Sequence, residues 1–133
     1  MELQPLRLNP GDDLRTALET LALGPERPSA FLIAGIGSLV DARLRFANEA
    51  QEATIAGPLE IISIAGSITP DGAHLHMSVA DSSGRVSGGH VGYGNIVRTT
   101  VEAVLVALPA WSLTREFDAA TGFKELFIRK GQP

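Results

Sequence analysis

Cysteine is absent from the sequence. That excludes disulfide bonds, thiolate zinc sites and a cysteine nucleophile, and it fits a reducing compartment. Long apolar runs are missing too: none approaches the ~18 residues needed to span a bilayer, so no membrane partner is expected. Met1–Pro10 has no basic start followed by an apolar run, so no secretory leader is expected and the expected location is the cytoplasm. Basic residues are scarce, 11 against 15 acidic, for a net charge of −4. Duplex-binding proteins draw most of their affinity from Lys and Arg that neutralise phosphates. Arg43 and Arg45 form only a small basic pair, so the composition opposes direct DNA binding. Aromatic residues are few: one Trp, one Tyr and five Phe.

What is present is aliphatic. Hydrophobic residues make up 44% of the 133 and charged residues 20%, a globular composition. The length fits one domain, residues 1–133, and a core of β-branched aliphatic residues suggests sheet. Leu3–Leu8 alternates and reads as a strand. Asp12 then reads as a helix N-cap, with Asp13 in the first turn. Leu14, Ala17, Leu18 and Leu21 form one apolar helical face, and Gly24-Pro25 ends the helix. Ala30–Leu39 and Leu59–Ile68 read as buried strands, and Ala42–Ala47 as a further one. Gly35 and Gly37 share a strand face, which suggests close approach of another backbone or a helix. Ile96–Leu108 favours strand, although its length permits helix, and Leu113–Phe117 and Glu125–Arg129 read as short strands. The expected class is α+β: a mainly antiparallel sheet of six to eight strands with one or two flanking helices.

All three histidines fall within one predicted hairpin, Ala73–Ala80 and Arg85–Gly92. Asp81-Ser82-Ser83-Gly84 suits a three-residue loop with Gly84 in the left-handed conformation as a bulge. In that register His76 lies opposite His90, with His74 on the same face and Leu75, Met77 and Val79 turned to the core. A two-residue loop would instead set His76 against Gly89, and Gly88-Gly89 could add a bulge that redirects His90. Three imidazoles without a thiol suit a divalent metal, zinc foremost among Zn²⁺, Ni²⁺, Cu²⁺ and Fe²⁺, and leave a coordination position open. The competing reading is a set of hydrogen-bonded or surface histidines on a solvated strand.

The same residues carry a resemblance. Ala73-His-Leu-His-Met-Ser-Val-Ala-Asp-Ser-Ser-Gly84 followed by Arg85-Val-Ser-Gly-Gly-His90 resembles the signature of the plants-and-prokaryotes-conserved (PPC) domain. Gly57–Gly66, Thr99–Glu102 and Thr121–Leu126 resemble its flanking segments, so the likeness runs from about Ala30 to Leu126. The resemblance implies an antiparallel sheet with a flanking helix, a homotrimer, and metal near His76 and His90, which match the motif's recurrent histidines. Plant members carry AT-hooks; this chain has no Arg-Gly-Arg-Pro hook, the part that reads the A·T minor groove. DNA binding would come by family name only.

Other patterns carry less. Gly35-Ile-Gly37 begins a dinucleotide fingerprint, but Val40 stands where its third glycine belongs. Ser78, His76 and Asp81 lack a nucleophile elbow. Glu60, Arg98 and Glu102 are candidate ligand-binding residues near the histidines, with a structural ion pair between Arg98 and Glu102 as the plainer reading. Glu60 sits in a strand that reads as buried, where a carboxylate needs a partner. Trp111 and Phe117 read as core or interface anchors. The expectation is a trimeric regulatory, interaction or ligand-binding module with a protein or small-molecule partner. The alternative is a metal-binding protein or metal-dependent enzyme built on the histidines.

Overall fold

The structure is a computed structural model that describes residues 2–25 and 28–131. Met1 and Pro133, the ends of the domain span read from the sequence, lie outside them. The chain forms β1 (Glu2–Leu8), α1 (Leu14–Ala22), β2 (Ala30–Leu39), β3 (Ala42–Arg45), β4 (Ala53–Ile55), β5 (Leu59–Thr69), β6 (Gly72–Ala80), β7 (Val86–Val91), β8 (Val97–Ala107), β9 (Trp111–Asp118) and β10 (Phe123–Lys130). The described strands number ten rather than six to eight, and β4 is the one that the sequence patterns do not mark as a strand. Eight make one sheet in the order β1-β8-β2-β5-β6-β7-β3-β4, and β9 and β10 pair separately; every pairing is antiparallel. No helix among the described residues is long and apolar enough to cross a membrane.

The two long central strands explain the choice of sheet over helix at 97–107. β8 is hydrogen-bonded to β1 on one side and β2 on the other, so Val97, Val101, Ala103 and Leu105 bury one face while both backbone edges are satisfied. The inner faces of β1, β2, β3, β5, β6, β7 and β8 build one aliphatic core with α1.

The helix cap is Asp13, not Asp12. Asp13 has extended backbone and its Oδ1 accepts from Thr16 N at 3.0 Å, which satisfies a free amide of the first turn. Asp12 instead accepts from Asn9 N at 2.8 Å, bracing the Pro10-Gly11 turn. The buried ridge is Leu14, Leu18 and Ala22, spaced i, i+4, i+8. Such a ridge is inclined to the helix axis, so Ala22 takes the place expected for Leu21, which is 39% exposed.

In β2 a register shift between Leu32 and Ala34 breaks the simple alternation of faces. Gly35 and Gly37 therefore follow Leu32 on the inner side, while Ile33 turns outward. The close approach is real. A Cβ on Gly35 would meet Ile64 Cγ2 at 2.6 Å, and one on Gly37 would meet Val101 Cα at 2.8 Å.

Candidate metal centre

The site begins with a loop. Asp81 Oδ1 accepts from Ser83 N, Ser83 Oγ and Arg85 N, and Gly84 takes φ +80°. The main chain closes with Gly84 N donating to Asp81 O at 2.9 Å and Asp81 N to Arg85 O at 3.0 Å. This is the three-residue loop with a left-handed glycine, and it fixes the hairpin register. His76 pairs with His90, Ser78 with Gly88 and Ala80 with Val86. No bulge interrupts β7. Gly89 serves instead to admit β3: a Cβ there would meet Arg45 O at 2.6 Å. Leu75, Met77 and Val79 are buried on the core side, which commits His74 and His76 to the opposite face.

The three rings converge. His74 Nε2 lies 3.2 Å from both His90 Nδ1 and His76 Nε2, and one ligand nitrogen from each ring lies within 4.8 Å of the others. The His74 and His90 rings stack nearly parallel, and His76 stands edge-on to both. Nitrogens held ~2.0–2.1 Å from a tetrahedral zinc stand roughly 3.3 Å apart, so two of the three spacings already match that of a ligand set.

The electrostatics favour neutral, ligand-competent rings. Burial, then the charge of Arg115, then the neighbouring imidazoles push His74 down to about 4, with Glu125 opposing. Burial and the charge of Arg45 lower His90. Both effects penalise the imidazolium.

Two buttresses hold these cations beside the triad. Arg45 is the cross-strand partner of His90. Its strand is fastened by Asn95, a buried side chain that accepts from Arg43 N and donates to the carbonyls of Arg43 and Gly92. Arg115 comes from β9, anchored by its backbone amide to Asp71 Oδ2 at 2.8 Å. Its guanidinium donates to Ser67 Oγ at 2.5 Å, and Ser67 is the cross-strand partner of His74. Over His74 and His90 lies a cavity of about 640 Å³ whose charged lining is Arg15, Arg45, Arg115 and Lys124 against Glu52, Asp71 and Glu125. Sequence reasoning missed Arg45 and Arg115 as site residues. The pairing of β3 with β7 would have revealed the first; the second arrives from a distant strand with no local signal.

Glu60, Arg98 and Glu102 do not line this cavity. Glu60 and Glu102 border a separate surface hollow with Ile36, Ile62, Thr99 and Thr100, and Arg98 is exposed. Glu60 points to solvent between the buried Leu59 and Ile61, so it needs no buried partner. Among the described residues the ion pairs are Arg15–Glu19 and Arg129–Glu116, not Arg98–Glu102. Four residues along an extended strand span roughly 13 Å, beyond the reach of such a pair. Trp111 and Phe117 are both exposed, so neither is a core anchor.

An antiparallel sheet with one helix on its inner face and an imidazole triad on its outer face defines an α+β protein with a histidine site. The chain belongs to the Plants and Prokaryotes Conserved (PCC) domain family, whose family model matches residues 1–109. It is 41% identical over 129 residues to the bifunctional protein GlmU of Synechococcus sp. (strain JA-2-3B'a(2-13)), a match covering 97% of this chain and 20% of that protein. The chain spans about a fifth of the length of the curated relatives it matches. A hypothetical protein of Salmonella enterica has the same fold at TM-score 0.92 and 35% identity, over 97% of this chain and 94% of that one. A Ralstonia eutropha protein described as a candidate DNA-binding protein matches at TM-score 0.79 and 27% identity, over 97% and 90% of the two chains. A metal-containing protein of Archaeoglobus fulgidus shares the fold at TM-score 0.78 and 23% identity, over 96% and 94%.

Proposed function

We propose that the chain is a metal-dependent ligand-binding module, in which His74, His76 and His90 hold a divalent ion, zinc foremost. The observation that carries this reading is the convergence of three imidazole nitrogens, two of the contacts at 3.2 Å, on rings whose surroundings keep His74 and His90 neutral. The metal-containing description of the Archaeoglobus relative is consistent with it. Three protein ligands leave a coordination position for a small molecule or water. Elemental analysis of tag-free protein tests the reading. About one ion per chain is expected in the wild type and almost none in a His76→Ala/His90→Ala variant; equal and negligible metal in both overturns it.

A second reading, an interaction module that assembles as a homotrimer, is favoured by a separate observation. Ile33, Ile36 and Ile62 are each more than half exposed on the outer sheet face, and monomeric proteins rarely leave contiguous apolar surface uncovered. Partners could then be further protein chains. Direct DNA binding, suggested by the description of the Ralstonia relative, is opposed by the net charge of −4.

A further inference from the structure

Arg45 and Arg115 flank the histidine triad from opposite sides of the hairpin, through their cross-strand relations to His90 and to Ser67–His74. Neither forms an ion pair with a carboxylate among the described residues. Arg45 donates to the Glu49 carbonyl and Arg115 to the Ser67 hydroxyl, both neutral acceptors. Arg15, by contrast, is already committed to Glu19 and the Val91 carbonyl. Three acids also line the cavity, Glu52, Asp71 and Glu125, and none of them forms an ion pair with either guanidinium among the described residues. Three imidazoles bring no negative charge. With Arg15 paired to Glu19, the remaining cations of the lining, Arg45, Arg115 and Lys124, are matched in number by Glu52, Asp71 and Glu125, so a divalent ion there would bring charge that nothing in the lining offsets. The ion itself would then be a local surplus of positive charge. It borders a cavity of about 640 Å³, the size of a small-molecule site.

Resting on the metal reading above, we infer that this cavity takes a small oxyanion, a carboxylate or phosphate group, held between Arg45 and Arg115 at the metal's open position. Guanidinium forks match the paired oxygens of such groups, and the anion offsets charge that the protein leaves unbalanced. Carboxylate and phosphate share this chemistry, and separate titrations tell them apart.

The test uses the full chain loaded with cobalt, whose visible spectrum reports on its coordination. Inorganic phosphate, acetate and glycerol are titrated in turn. A response to phosphate, to acetate or to both, and none to glycerol, supports the inference and identifies the group. Arg45→Gln and Arg115→Gln are expected to raise the anion concentration for half-effect at least tenfold in cobalt-saturated protein, with far-ultraviolet circular dichroism reporting that they fold. Cobalt uptake with no anion response, or responses unchanged in both variants, overturns the oxyanion inference and leaves the metal reading standing. If no cobalt is taken up, the metal reading fails. The imidazole NMR signals of the metal-free protein then decide: anion-induced shifts lost in the Arg→Gln variants support the guanidinium pair as the holder, and no shifts overturn it.

Discussion

His74 sits between opposing demands: a metal needs its neutral form, and solution near neutrality offers it a proton. Burial and the guanidinium of Arg115 settle the contest by lowering its affinity for protons from the ordinary 6.5 to about 4. Proton-detected titration of the metal-free protein should find it neutral well below pH 6, and Arg115→Gln should raise its midpoint by removing the second-largest cause. The sign for stability follows from linkage. Between pH 6.5 and 4 the unfolded chain binds a proton that the folded His74 refuses. Metal-free protein should therefore lose stability as pH falls through that window, and the loss should level off below it. Urea unfolding at pH 7, 5 and 4 checks this. His74→Gln should flatten the slope, and an unchanged slope would assign the acid sensitivity elsewhere. The half-buried Glu116, held down to about 2 by its hydrogen bonds from Arg129 and Thr114, acts in a different window. Its stabilising contribution is present above the ordinary carboxylate range and is lost only as pH falls toward 2.

The β6–β7 hairpin converts a loop sequence into a site. Gly84 takes φ +80°, and a Cβ there would meet no atom within 4 Å. Gly84→Ala therefore meets no clash and only the left-handed backbone penalty, about 1 kcal/mol. Chemical denaturation should show that loss, with metal content retained because the pairing register remains the favoured one. Gly66 differs. It has φ +153°, and a Cβ there would lie 2.8 Å from Leu75 Cα and closer still to the His74 carbonyl. Gly66→Ala should push β6 away from β5, with a loss of stability well beyond that of Gly84→Ala and with weakened metal binding. These elements also mark how far the sequence could be read. Asp81-Ser82-Ser83-Gly84 sets a local register, so the meeting of His76 and His90 was legible from turn chemistry. The β2 bulge and the β3–β7 contact were not, because they depend on strands brought together from far apart in the chain. The same holds for Arg115, which reaches Ser67 across 48 residues. Periodicity placed the helix correctly but not its cap, since adjacent aspartates at 12 and 13 offer the same chemistry and the turn before them selects between them.

At the scale of the molecule, the outer sheet face divides into two regions. β6 and β7 carry the histidines, while β1, β8, β2 and β5 occupy the other part of the strand order. That second part exposes Leu3, Ile33, Ile36 and Ile62, an apolar surface that water would leave uncovered at a cost of ~25 cal/mol per Å². In the proposed trimer this is the surface that other copies cover. Ile36 is the most informative position: it is 55% exposed, so a charge there is tolerated by the folded monomer, yet it borders Glu102 and the Glu60 hollow. Ile36→Glu would place a third carboxylate among them in any buried interface, where an unpaired charge is strongly unfavourable. Light scattering on a sizing column should give a trimer mass for the wild type and a monomer mass for Ile36→Glu, with far-ultraviolet circular dichroism unchanged. A wild type that elutes as a monomer would remove the trimer proposal. The metal content of the variant carries a second answer. All three imidazoles come from β6 and β7 of one chain, so about one ion per chain should survive dissociation. Loss of the ion with the trimer would mean that a neighbouring copy completes the site.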